Sequence, residues 1–147
     1  MISKKWMIYG ANGFSGSLAV DEACKRGLTP TLAGRSQSVR DLAKSKNLES
    51  QIFSLSSVNE VASQIKGMAV VANCAGPFSE TAEIMIQACI QAKVHYIDIT
   101  GELGFVKNSF EKHHLNAKES NSIIVHACAF ESLIADLVLQ TTSPYES

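Results

Sequence analysis

Gly10, Gly13 and Gly16 stand three apart directly after the apolar run Trp6-Met7-Ile8-Tyr9, and a helical apolar pattern (Leu18, Ala19, Ala23, Cys24) resumes behind them. A short apolar strand that breaks into regularly spaced glycines and re-forms as a helix is what a dinucleotide-binding βα turn requires. In that reading Gly10 supplies the tight turn, Gly13 lacks the Cβ that would collide with a pyrophosphate, and Gly16 lets the helix pack closely on the strand. Asn12, Gly13, Phe14, Ser15 and Gly16 then surround a helix N-terminus whose free N–H groups and partial positive charge hold phosphates. The spacing G-x-x-G-x-x-G varies the commoner G-x-G-x-x-G, and a glycine-rich turn with no ligand would share it.

Two more stretches sit where such a site has its other walls. Gly34-Arg35-Ser36 follows an apolar segment at the place where an NAD-selective site carries Asp or Glu for the ribose 2′-hydroxyl. Arg35 can instead pair bidentately with a 2′-phosphate, Ser36 adds a hydroxyl, and Arg40 lies one turn further on, so the expected cofactor is NADP(H), with NAD second. A solvated surface arginine is the bland alternative. Asn73-Cys74-Ala75-Gly76 follows the most apolar segment, and its small residues leave room for a ribose and a nicotinamide. Asn73 can hydrogen-bond the cofactor or equally tie two loops together. Ser56 and Ser57 are placed to flank the adenine.

Candidates for chemistry of the chain's own are few. His95, Asp98 and Glu102 are the titratable groups near the expected nicotinamide end, and Asp98 reads either as a loop-fixing or capping carboxylate or as a general acid or base. His113 and His114 read as one solvated and one half-buried ring. No Ser/His/Asp order stands out, no metal ligand set is spaced for a site, and no catalytic residue is assigned, so any chemistry belongs to the cofactor.

The elements that must hold these residues alternate six times. Strands are expected near residues 6–9, 29–36, 51–55, 68–74, 94–99 and 122–126, with helices over 15–26, 38–47, 58–66, from a cap at Ser79 or Thr81 to 92, and over 103–120. A last helix would use Leu133, Ile134, Leu137, Val138 and Leu139. Strand and helix in strict alternation, with no repeat, predict an α/β fold, a doubly wound parallel sheet of about six strands in the order 3-2-1-4-5-6.

Composition agrees with one dinucleotide-binding domain over residues 1–147. The chain is 46% hydrophobic and 18% charged, with a formal net charge of −1 and no basic cluster, which leaves nucleic acid without an electrostatic footprint. No apolar run is long enough to span a membrane, and Met1-Ile2-Ser3-Lys4-Lys5 leads into a run too short for a signal peptide, so a cytoplasmic protein is expected. Cys24, Cys74, Cys89 and Cys128 are far apart, each on an expected strand or buried helix face, and read as core thiols.

With these residues in hand, the chain resembles the N-terminal domain of the saccharopine dehydrogenase-like oxidoreductases, a family that includes trans-acting enoyl reductases. The resemblance rests on residues 9–16, on Ala33-Gly34-Arg35-Ser36, on Asn73-Cys74-Ala75-Gly76-Pro77-Phe78 and, most specifically, on His95-Tyr96-Ile97-Asp98-Ile99-Thr100-Gly101-Glu102. It implies a Rossmann-like domain that binds NADP(H) or NAD at the first three segments, and hydride transfer to a C=N or C=C bond. Family members carry a second α/β domain that closes over the cofactor and supplies most of the substrate pocket; this chain is expected to lack it. Where the family has a G-F-D-S-x-P-S-D segment, the chain reads Ala129-Phe130-Glu131-Ser132-Leu133-Ile134-Ala135-Asp136, without the glycine and proline. A homodimer or a substrate-domain partner is therefore expected, the last helix offering an apolar face for association. A reading from another class is a non-catalytic nucleotide-sensing or interaction module that kept the fold.

Overall fold

The computed structural model describes residues 5–129 together with Val138. Within them six strands alternate with five helices. These are β1 (Trp6–Tyr9), α1 (Phe14–Lys25), β2 (Thr31–Gly34), α2 (Ser38–Lys46), β3 (Ser50–Ile52), α3 (Val58–Ile65), β4 (Val70–Asn73), α4 (Phe78–Ala92), β5 (His95–Asp98), α5 (Leu103–Ser120) and β6 (Ile124–Val125). Every strand pair is parallel, and the order is β3-β2-β1-β4-β5-β6. That is the doubly wound arrangement the alternation predicts.

Period-two alternation along β1 divides the core between the two faces of the sheet. Met7 and Tyr9 point to one face with Val71 and Tyr96, where Val61 and Ile65 of α3 and Met85, Ile86 and Cys89 of α4 cover them. Ile8 points to the other with Leu32, against Val20 of α1 and Val39 and Ala43 of α2. Met7, Ile8, Leu32 and Val71 are fully buried, and each such side chain contributes about 1.5–3 kcal/mol relative to exposure. Register sets Tyr9 beside both Ala33 and Asn73, and Asn73 beside Asp98, so the strands finish at one level. The chain runs outward in one direction from β1 to β3 and in the other from β4 to β6. The loops after β1 and β4 therefore diverge, and a crevice opens between them.

Several boundaries differ from the sequence reading. β3 spans three residues and stops at Ile52, so the chain has already turned at Phe53–Leu55; β6 keeps only two of its five expected residues. Helix α4 starts at Phe78, and neither Ser79 nor Thr81 caps it: the cap residue is Pro77, and the Thr81 hydroxyl donates to the carbonyls of Ala75 and Pro77. Cys89 is buried and Cys24 and Cys74 are partly covered, but Cys128 is exposed, because the chain has left β6 before reaching it. The expected last helix and the segment from Phe130 to Asp136 lie outside the described residues except for Val138, which is helical and half exposed.

Candidate functional site

The turn after β1 is built from contacts no side chain could replace. Gly10 sits at φ +78°, and its N–H donates to the Ala33 carbonyl of β2 at 2.8 Å. On the other side the Cys74 N–H donates to the Tyr9 carbonyl at 2.8 Å. A Cβ on Gly16 would stand 2.1 Å from the Gly10 carbonyl oxygen, so α1 can lie this close to β1 only with glycine there. A Cβ on Gly13 would meet only that same oxygen, at 3.3 Å, and otherwise opens outward.

The crevice between the diverging loops is a cleft of about 890 Å³. Of the sequence-predicted residues, Gly10, Asn12, Gly13, Phe14, Ser15, Arg35, Ser36, Cys74, Ala75 and Gly76 line it. Two do not. Gly16 is buried under the turn it permits. Asn73 is fully buried, its Nδ2 donating to the Tyr96 hydroxyl at 3.3 Å and its Oδ1 accepting from the Ala75 N–H at 3.1 Å, which is the loop-tying alternative. Arg40 is exposed on α2 and does not line the cleft. Ser56 and Ser57 serve α3 instead: Ser57 accepts the Glu60 N–H as its cap, Ser56 donates to the Glu60 carboxylate, and Ser54 and Leu55 take the cleft wall. Tyr9, Glu80 and Thr81 also face the cleft, unanticipated.

Two helix N-termini, those of α1 and α4, border the cleft, and electrostatics separates them. The first turn of α4 is occupied: the Glu102 carboxylate accepts the N–H groups of Phe78 at 2.7 Å and Ser79 at 3.1 Å. Those two hydrogen bonds hold Glu102 below the usual carboxylate range, and its negative charge offsets the helix's partial positive one. At α1 the cap residue is Gly13, no side chain caps the helix, and there is no acidic residue in the first turn. An anion entering the cleft therefore finds its open donors at α1. Arg35 lines the same cleft, and its exposed guanidinium pairs with no carboxylate among the described residues. The Cys74 thiol is pushed up to about 11, first by burial and then by the Asp98 charge, so it stays protonated at neutral pH and is no nucleophile.

Beyond the cleft the structure assembles a network that the sequence did not reveal. Asp98, 1% exposed, accepts four hydrogen bonds: Oδ1 from the N–H groups of Thr100 at 3.1 Å and Ala127 at 3.0 Å, Oδ2 from the Tyr96 hydroxyl at 3.0 Å and His126 Nδ1 at 2.7 Å. Burial alone would raise the Asp98 carboxyl, but His126 and the backbone donors outweigh it and hold it low. Because a carboxylate offers only lone pairs, Nδ1 carries the ring hydrogen, and Nε2 can take the hydroxyl hydrogen of Ser109 at 2.9 Å.

Ser109, His126 and Asp98 thus reproduce the bond order of a nucleophilic triad. The setting argues against attack: Ser109 is 3% exposed in the middle of α5, where the helix uses the backbone N–H groups an oxyanion would need. Phe105 packs edge-on to the His126 ring at 5.3 Å. The three residues lock β5, α5 and the loop after β6 together. Asp98 is the loop-fixing carboxylate of the two readings, and Glu102 is a helix cap. His95 lies at the opposite edge of the sheet, at the start of β5, where its Nδ1 accepts the Ile123 N–H. His113 is buried against Glu83 at 3.2 Å and His114 is exposed. No group of three or more His, Cys, Asp or Glu residues could hold a metal among the described residues, and no helix there is long and apolar enough to cross a membrane.

Comparison with known proteins agrees with this geometry. The family model for the saccharopine dehydrogenase NADP binding domain matches residues 6–129. A trans-acting enoyl reductase of Mycobacterium tuberculosis is 33% identical over 141 residues, spanning 89% of this chain and 33% of its own. A saccharopine dehydrogenase-like oxidoreductase of Arabidopsis thaliana, mitochondrial by its name, is 33% identical over 153 residues, spanning 90% of this chain and 33% of its own. Apo saccharopine dehydrogenase (L-Glu forming) from Saccharomyces cerevisiae superposes with a TM-score of 0.76 at 14% identity, over 95% of this chain and 30% of that one, a likeness of fold. The chain spans about a third of the length of the curated relatives it matches.

Proposed function

The chain belongs to the saccharopine dehydrogenase NADP-binding domain family, and on that premise we propose that it holds NADP(H) in the cleft after β1 for hydride transfer to a C=N or C=C bond. The observation that carries this reading is the uncapped N-terminus of α1, which opens into the cleft while the neighbouring α4 is filled by Glu102. Phe14 and Ser15 would hold the pyrophosphate on backbone N–H groups, above Gly10 and Gly13, whose own N–H groups donate to the carbonyls of Ala33 and Gly10, and Arg35 with Ser36 would take a 2′-phosphate. Cys74, Ala75 and Gly76 would run beside the nicotinamide half, where small side chains leave space. The cofactor, when bound, supplies the hydride; these residues would bind and orient it.

A cofactor-binding domain needs a substrate pocket, and two thirds of the length of the relatives lies outside the matched span. In this reading that pocket comes from a further domain or from a second copy of the chain. Light scattering at about 100 μM tests the second source: a dimer supports it, and a strictly monomeric species removes it. A cytoplasmic setting fits four cysteines that form no disulfide.

Thermal unfolding with and without nucleotide tests the binding claim. A ligand that binds only the folded state, at a hundred times its dissociation constant, stabilises by about 2.7 kcal/mol. For a domain of this size that raises the midpoint by roughly 5–10 °C. NADPH should give that shift, NADH a smaller one at equal concentration, and Arg35→Ala should bring NADPH down to the level of NADH. No shift with either nucleotide would sink the proposal.

A further inference from the structure

Asn12 stands in the glycine turn, yet its side chain reaches over to the neighbouring loop after β2. Its Nδ2 donates to the Ser38 hydroxyl oxygen at 2.9 Å and reaches that of Ser36 at 3.4 Å, and the two serine hydroxyls bond to each other. Gly34 makes room for this crossing: a Cβ there would lie 3.4 Å from Asn12 Oδ1 and 3.0 Å from a Val39 methyl.

The hydrogen count of this trio is informative. Each serine hydroxyl has one hydrogen and can accept two. The amide supplies hydrogens to the serine oxygens, and one hydroxyl gives its hydrogen to the other. The second hydroxyl hydrogen then has no acceptor among the described residues. It belongs to Ser36 or Ser38, in the loop that leads from the unpaired Arg35 into α2, whose first turn carries Asp41. A donor and a guanidinium side by side suit a doubly charged phosphate monoester and offer nothing particular to a ribose hydroxyl.

We propose that Asn12 is a positioning residue for cofactor choice, orienting the Ser36 and Ser38 hydroxyls so that the loop beside Arg35 favours a 2′-phosphate over a 2′-hydroxyl. The proposal rests on NADP(H) binding in this cleft. It assigns to Asn12 a selectivity role that acts through two serines, and it draws in Ser38, which the glycine motif does not reach.

Titration of NADPH and of NADH into wild type, Asn12→Ala and Ser38→Ala tests it, with circular dichroism confirming that each variant is folded. Asn12→Ala should weaken NADPH about five- to tenfold, as loss of one to two hydrogen bonds does, and leave NADH within twofold. Ser38→Ala should shift in the same direction. A variant that weakens both nucleotides equally would show that Asn12 serves the pyrophosphate turn, and one that changes neither would show the contacts to be idle; either overturns the proposal. If Asn12→Ala does not fold, Ser38→Ala, on the exposed start of α2, decides alone. Wild type that binds NADPH without preference refutes this inference and leaves the binding site standing. Wild type that binds neither nucleotide refutes the binding site itself.

Discussion

Gly16→Ala is expected to lower stability and to abolish nucleotide binding, against the usual trend for helices. Alanine inside a helix gains about 1 kcal/mol over glycine. Here the added methyl would sit 2.1 Å from the Gly10 carbonyl oxygen and 2.8 Å from its carbon. Both are backbone atoms of a turn tied to Ala33 and to Gly13 by hydrogen bonds, so the helix has to move. Overpacking of this kind costs about 1–3 kcal/mol and more where backbone must shift, which exceeds the propensity gain. Moving α1 also displaces the N–H groups of Phe14 and Ser15 from the cleft. A lower urea midpoint together with loss of the NADPH-induced thermal shift is the expected result, and an alanine variant as stable and as responsive as wild type would refute it.

The largest effect on stability alone is expected at Asp98. Asp98→Ala leaves two backbone N–H groups, a tyrosine hydroxyl and the His126 ring unpaired around a position that is only 1% exposed. Removing one partner of a buried, hydrogen-bonded pair costs about 3–5 kcal/mol, a large share of the roughly 5–15 kcal/mol that holds a domain together. Asp98→Asn should lose less, because its amide can donate to His126 Nδ1 once the ring hydrogen moves to Nε2, while its oxygen still serves Thr100 and Ala127. Acid separates the two carboxylate roles further. Asp98 is held low in the folded state, so its contribution is complete above the ordinary aspartate value of about 4 and is lost as pH falls through the lower folded value. Urea midpoints measured from pH 7 to pH 3 should therefore fall more steeply for wild type than for Asp98→Asn; parallel curves would contradict the assignment.

The legible part of this molecule was carried by local signals. Glycines at Gly10, Gly13 and Gly16 after an apolar run fix a turn within eleven residues. The alternation of patterns then fixes the sheet, because a parallel strand needs a crossover and the crossover has one hand. The missing carboxylate at Arg35 was legible for the same reason, as a departure at a known place. What escaped depends on contacts between residues far apart in sequence. His126 meets Asp98 across 28 residues, and Glu102 caps α4 across 24, and neither pairing leaves a trace in spacing. The displaced cleft wall at Ser54 and Leu55 has a different cause: β3 is only three residues long, so a difference of three residues at its end moves Ser56 and Ser57 from the cleft onto the α3 cap.

We propose that the open end of α1 and the unpaired Arg35 together make one NADP(H) site. Calorimetric titration of NADPH and NADH into the same protein tests it most directly. Saturable NADPH binding is expected at one site per chain, at least about tenfold tighter than NADH, a difference of about 1.4 kcal/mol assigned to the 2′-phosphate. Equal affinities would remove Arg35 and Ser36 from recognition, and the absence of binding heat and of any thermal shift with either nucleotide would contradict the site as a whole.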